Sequence, residues 1–438
     1  MCVRRFMSSV VLLLAVTACG RPEGKTLPPE TWFVDDDFSA GEFGAGTCQG
    51  SAWIPDRGLT LGPGQQEGSF VSRILDAGRS VSWEYIAWVP LGHYGQALPD
   101  QGASETRGLG AVSMAENVLL LHLDGSDPVA TGGKLTDGSG RGNDAIVSTA
   151  SGSGSVGFAE GPFRQALADT LDTHAYVPLS ARRDFDFRLS DFTWSLWVKT
   201  TQDCAGNKVY LGVEDGVAGQ PHLWFGCYSS TAAYELCTEC TSGGCAGGFF
   251  ALKRGEEGQN ARFCGKRAIN DGAWHQMAVV KRGHDDAVVS LYVDGELEHE
   301  VTAHFADAIV FSSGPQLAIG AFSKGTYQSE ASLDEVAIWR RALAAEEVRS
   351  LYLRGSLRLG FQVRGCLDAT CSGDPAFVGP GDSPSALFAD EMGGDHSRVQ
   401  ASLAGVSASR YLQYRLVLAS RAPPETPVVS SVNVVPSP

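Results

Sequence analysis

Six cysteines crowd one stretch of the chain, Cys204, Cys227, Cys237, Cys240, Cys245 and Cys264, and thiols so placed either ligate a metal or oxidise in pairs. The string CTECTSGGC has zinc-like spacing at Cys237 and Cys240, but no second C-x-x-C pair completes four ligands. Three disulfides are therefore expected there, with connectivity left open. Cys366 and Cys371 are close enough to pair locally, which leaves Cys48 free or joined to another chain. Asp294, Glu296, Glu298 and Glu300 alternate, a spacing that sets acids on one face of a strand, where two carboxylates could work as acid and base on a glycosidic bond. An all-acidic exposed face is more simply a solvated one. Asp334 and Glu335 are adjacent, so a regular strand sends them to opposite faces and they cannot cooperate. No H-E-x-x-H, G-x-S-x-G or phosphate-binding loop occurs. Among aromatic residues, Trp194, Trp274 and Trp339 are assigned to a core. Trp197, opposite Trp194 on one strand, is the candidate platform for a sugar ring, with Trp224, Tyr228 and Tyr234 nearby in sequence.

The elements that must position these residues are mostly strands. DFTWSLWVKT puts Phe192, Trp194, Leu196 and Val198 on one face, and RYLQYRLVLAS separates Leu412, Tyr414, Leu416 and Leu418 from Gln413, Arg415 and Val417. AWHQMAVVKR and VSLYVDGELEHEV read as paired strands, with Asp294-Gly295 as a type I′ turn. LTDGSGRGNDAIV is a loop dense in Gly and Asp, where Asp137 and Asn143 serve as turn makers. After Arg340, Leu343, Val348, Leu351 and Tyr352 give a short helix one buried stripe. Glu347 stands where a capping box needs it, but Ala344 takes the place of the capping hydroxyl, which weakens the helix start by roughly 1 kcal/mol.

Residues 1–18 have a basic start (Arg4, Arg5), an apolar run and small residues before Cys19, the pattern of a signal peptide too short to span a membrane. VTACG resembles a bacterial lipobox, which makes Cys19 the lipidated first residue, and Gly20 after it is compatible with sorting to the outer membrane. Acyl chains contribute about 0.8 kcal/mol per buried CH₂, enough in combination to hold a soluble body at the bilayer. Residues 19–32 are a Pro-rich tether. No later segment is long and apolar enough to span. The formal net charge is -16, and more negative still once the two arginines leave with the signal peptide, so nucleic acid is an unsuitable partner. Export to an oxidising compartment favours disulfides over thiolate ligation.

LDEVAIWRRALAAEEVRSLY, a strand followed by one short helix, resembles the close of a laminin-G-like (concanavalin-A-like) jelly roll, and LLLHLDG with TDGSGRGND resembles its opening. The flanking stretches 68–99 and 357–380, with RYLQYRLVLAS beyond, resemble the two halves of a β-sandwich of bacterial cell-surface proteins. The resemblance implies an all-β chain: the first part of a split sandwich over 33–110, a jelly roll over 111–356, and the second part of the sandwich over 357–438. It also implies one calcium ion at the rim, with Asp124, Asp137 and Asp334 as contributors. The E-x-D-x-x-E motif of jelly-roll glucanases is absent, so the expected role is non-catalytic binding of a glycan or cell-surface glycoprotein. The alternative is a structural or protein-interaction role in envelope assembly or adhesion.

Overall fold

The computed structural model describes residues 33–437 apart from 37–42, 106–107, 150–151, 169–172, 179–182, 186–189, 206–207, 215–221, 229–239, 241–243, 252–259, 285, 304–315, 323–326 and 390–398. The expected signal peptide, the expected lipidation site Cys19 and the expected tether therefore lie outside the described residues. Among those described, no helix is long and apolar enough to cross a membrane.

Short alternating segments bounded by Gly, Asp and Pro give strands almost throughout, and these assemble into two sandwiches. The first draws on both ends of the sequence. One of its sheets joins Phe33–Asp36, Ser51–Ile54, Gly58–Leu61 and Trp83–Pro90 to Val399–Ser402 and Val428–Pro436. The other joins Thr47–Gln49, Glu67–Val71 and Leu75–Val81 to Leu357–Cys366 and Ser409–Ser420. Leu412, Tyr414, Leu416 and Leu418 face inward, as their alternation requires, and pack with Trp88, Phe361 and Phe70.

Between these halves sits the second sandwich, an eight-stranded and a nine-stranded sheet over a core that includes Trp194, Leu196, Val198, Leu211 and Phe225. Its first strand, Asn117–Leu121, pairs antiparallel with its last, Ser332–Trp339, so the insert enters and leaves at neighbouring strands. The helix Ala345–Ser356 and the linker before Asn117 cover the outer face of the nine-stranded sheet. There Leu343, Val348 and Leu351, with Leu98, Val112 and Met114, pack on Ala278, Val280 and Trp339. Ala344 provides no side-chain cap; instead Glu347 accepts the Ala344 N–H at 3.0 Å and is gripped by Arg341 at 2.7 and 2.8 Å.

Arg354, at the end of that helix, is 1% exposed. It donates to the carbonyls of Gln96, Ala97 and Gly110 and to both oxygens of Glu105, at 2.6 to 3.1 Å. Glu105 also accepts the Val112 N–H and faces His93 Nδ1 at 3.2 Å. This buried network fixes the linker to the insert.

Cys204–Cys227, Cys240–Cys245 and Cys366–Cys371 are bridged, and Cys48 is free and exposed. Cys264 is also disulfide-bonded. Cys237 lies outside the described residues.

Candidate binding cleft

The site begins with a phase shift in one strand. Pairing of Ser332–Trp339 with Phe192–Lys199 slips between Ser195 and Trp197, and Glu335 adopts φ +47°. This is a β-bulge, which inserts one residue and breaks the period of two. Leu333 and Val336 both remain in the sandwich core, so Asp334 and Glu335 both lie on the outer face. The expectation that they face opposite sides is corrected accordingly.

Glu335 is buried and accepts the Leu98 N–H at 2.9 Å, while its other oxygen takes a short hydrogen bond from His122 Nδ1. His122 Nε2 lies 3.1 Å from Asp100 Oδ1. Burial disfavours the charged imidazole, but Glu335 and Asp100 outweigh it and raise the pKa of His122 to about 10. The next residue, Leu123, is left-handed at φ +59°, and Gln101 across from it is at φ +54°. Asp334 is wholly buried. Burial, then Glu335 and Asp124, push its pKa well up against a weaker pull from the Glu335 and Phe163 amides, and its Oδ2 lacks a well-formed hydrogen bond. Asp124 accepts the Gln165 N–H at 3.0 Å, and burial raises its pKa as well.

Asp137 belongs to a different arrangement. Its oxygens accept the N–H groups of Leu120, Ser139 and Asn143 and the Ser139 hydroxyl, at 2.8 to 3.0 Å, which fills them. The loop it organises is a seat for the linker. A Cβ on Gly138 would stand 2.2 Å from Asp100 Oδ1, and the Gln101 N–H donates to the Gly138 carbonyl at 2.7 Å. Of the three expected calcium contributors, Asp124 and Asp334 are close enough to interact and Asp137 is set apart. Among the described residues, no group of three or more His, Cys, Asp or Glu side chains is arranged to hold a metal.

These elements enclose a cleft of about 1040 Å³ at the junction of linker and jelly roll. The linker residues Leu98, Asp100 and Gln101 line it together with the 134–141 loop, His122, Asp124, Phe158 and Arg164. Polar groups held in place beside a few apolar surfaces are what a small-molecule site requires.

Trp197 does not offer the open face expected of a platform. It is 4% exposed, edge-on to Phe163 and stacked on Tyr352, each at 6.0 Å, and a Cβ on Gly355 would fall 2.2 Å from its ring. It is a core residue between sheet and helix, with Trp274 packed alongside. Tyr228 is buried near Cys240, Cys245 and Cys264, and Tyr234 lies outside the described residues. The exposed aromatic surface is elsewhere: Tyr327, 48% exposed and left-handed at φ +49°, lies 4.8 Å from Trp224, which is 4.6 Å from Phe322.

The alternating acids are engaged rather than merely solvated. Asp294 is held by His275, the Gln276 amide and Arg267; Glu296 pairs with Arg349, Glu298 with Arg267, and Glu300 accepts from Ser290. The sequence reading missed His122, Arg141 and Arg164. Only the Asp-Gly after His122 and the glycines around Arg141 hinted at a built loop there.

Residues 171–349 match the family model described as the concanavalin A-like lectin/glucanases superfamily. No curated protein matches the chain. Similar solved structures include domain 4 of a GH43 extracellular arabinanase from Geobacillus stearothermophilus, in complex with arabinotriose, at 14% identity over 52% of this chain and 100% of that one, TM-score 0.35. The binding domain of Paraclostridial Mosquitocidal Protein 1 is 14% identical over 58% of this chain and 61% of that one, TM-score 0.37. The binding domain of botulinum neurotoxin DC in complex with SialylT is 14% identical over 57% and 56%, TM-score 0.38. The chain thus spans under two thirds of either toxin domain. Residues 171–349 carry a domain of the concanavalin A-like lectin/glucanase superfamily, within an all-β chain.

Proposed function

We propose that the chain is a non-catalytic carbohydrate-binding lipoprotein, anchored through Cys19 at the outer membrane, that holds a glycan or glycoprotein in the junction cleft. One observation carries this reading: Gln101 and Leu123, both non-glycine and left-handed, line that cleft, and left-handed Glu335 behind it holds the lining residues Leu98 and His122. Each costs on the order of 1–3 kcal/mol and persists only where surrounding contacts over-determine it, as at binding sites. Asp100, Asp124, Ser139, Arg141 and Arg164 supply fixed hydrogen-bonding groups for hydroxyls, and Phe158 supplies an apolar wall. The superfamily matched by residues 171–349 includes lectins by its own description. The strongly raised carboxyl, Asp334, is wholly buried and does not line the cleft, which argues against a role as a glycosidase acid on a sugar held there.

Calcium is part of the proposal. Asp124 and Asp334 fit a cation, because the Asp334 Oδ2 is buried and ill-satisfied; backbone oxygens would complete the shell, and the ion would neutralise buried charge. Asp137 does not fit. Asp334→Asn is expected to stabilise the protein by about 1 kcal/mol in chelator, by relieving repulsion with Glu335, and to abolish any calcium-induced rise in Tm. A calcium shift unchanged in that variant would remove Asp334 from the site.

A glycan array probed with oxidised protein lacking residues 1–19, in calcium and again in chelator, tests the main reading. Hits that His122→Ala and Phe158→Ala weaken together support the cleft. A blank array from folded protein would favour the alternative, protein docking in envelope assembly or adhesion. That alternative draws on Leu367, 91% exposed on a loop closed by Cys366–Cys371 and by four hydrogen bonds to Asp368.

A further inference from the structure

We infer that the ligand of the cleft is a neutral sugar, and that Asp100 selects it by accepting one of its hydroxyl groups at Oδ2. The inference rests on the glycan reading of the cleft. Each cation that lines the cleft stands against an acid, so no excess charge is left for a charged ligand to balance. Lys134 bonds Asp144 at 3.1 Å, Arg141 and Arg164 face Asp184 and Asp124 at 3.9 Å, and His122 lies between Asp100 and Glu335.

The polar oxygens of the cleft are largely engaged. Asp137 has both oxygens filled by four donors, and the Ser139 hydroxyl donates to Asp137 while accepting the Arg141 N–H. Asp124 gives Oδ1 to the Gln165 amide and turns Oδ2 towards Arg164. Asp100 differs. Its side chain is 49% exposed, Oδ1 lies 3.1 Å from His122 Nε2, and among the described residues Oδ2 has no hydrogen-bond partner. Its surroundings hold it in place. Left-handed Gln101 follows Asp100, left-handed Leu123 follows His122, and Glu335, which completes the chain from Asp100 through His122, is itself left-handed. The Gln101 N–H is tied to the Gly138 carbonyl at 2.7 Å, and a Cβ at 138 would stand 2.2 Å from Asp100 Oδ1. A carboxylate fixed through one oxygen and open at the other is a preorganised acceptor, and a hydroxyl donated to it makes a charge-assisted bond roughly twice as strong as a neutral one. Phe158, in the same cleft, offers an apolar surface to the C–H face of the ring.

The test is calorimetric titration of the oxidised protein lacking residues 1–19, with calcium present, against cellobiose, mannobiose, galactobiose and xylobiose, the O-methylated form of each, and the glucosamine dimer. At least one neutral disaccharide is expected to bind, and its O-methylated form, which keeps the ring but donates nothing, to bind roughly tenfold or more weakly. Asp100→Asn, which can still accept from His122 but replaces the open acceptor with a donor, should weaken the hydroxylated probe about tenfold with Tm unchanged. Asp100→Ala should bring the hydroxylated and O-methylated probes closer together. Neutral binding that neither variant alters overturns the inference and leaves the glycan reading standing, as does equal binding of hydroxylated and O-methylated probes. A glucosamine dimer that binds where the neutral probes do not overturns the choice of a neutral sugar. If no sugar binds, the glycan reading falls and the inference falls with it.

Discussion

Asp334 and Glu335 show how a single residue's backbone changes what its neighbours can do. Period-two alternation is visible in a sequence, but a bulge is a one-residue phase shift set by the pairing partner, so the shared face of the two acids could not be read in advance. Trp197 failed for a related reason. Alternation correctly placed it opposite Trp194, yet the outer face is itself covered, by a helix whose docking the strand pattern does not record. Trp197→Ala is therefore expected to cost about 3–5 kcal/mol in urea unfolding, the range for truncating a buried tryptophan, without directly removing a ligand contact. His275 offers a separate check. Burial disfavours its charged ring, but Asp294 and Asp271 outweigh burial and raise its pKa, so the folded state favours the proton. The resulting stabilisation is complete below the unfolded value of about 6.5 and is lost as pH rises through the raised folded value. Urea midpoints followed from about pH 5.5 to about pH 9 should fall less in His275→Gln than in the wild type; parallel curves would remove His275 from the linkage.

At the scale of elements, the local signals were legible where local chemistry decides. Asp294 and Gly295 have φ of +52° and +72°, as a type I′ turn demands, and the helix buries Val348 and Leu351 as their spacing required. Ala344 was a legible weakness, but its compensation was not: Arg341 clamping Glu347 depends on where the preceding strand ends. The TDGSGRGND loop was legible as a loop and misread in purpose, since its glycines admit the linker and its Asp137 is filled by its own amides. Disulfide connectivity needed the sheet. Cys204–Cys227 closes a separation of 23 residues and Cys366–Cys371 one of 5. Because loop entropy grows with length, replacing the first pair by serine should cost about 2–4 kcal/mol in chemical denaturation, and replacing the second should cost less. Equal losses would point to native-state strain rather than chain entropy.

For the whole molecule, both sandwiches could be anticipated from alternation and from the resemblance of their strands, but not the buried link between linker and insert. Arg354 and Glu105 are far apart in sequence, and nothing local marks either as buried. Arg354→Met should cost about 3–5 kcal/mol, because it strands Glu105 without its partner. It should also split unfolding into two transitions by calorimetry, one for each sandwich. A single transition at reduced temperature would mean that the remaining packing couples the sandwiches without the ion pair.

The interleaving of the split sandwich also sets an order in time. Phe33–Asp36 pairs with Val428–Pro436, so the first strand of the body finds its partner only when the last strand has arrived. The jelly roll, contiguous in sequence and closed by neighbouring entry and exit strands, can finish first. During folding the early strands 33–90 therefore wait with open edges, the state in which strand-rich chains aggregate, and a prompt jelly roll shortens that wait by drawing residues 91 and 357 together.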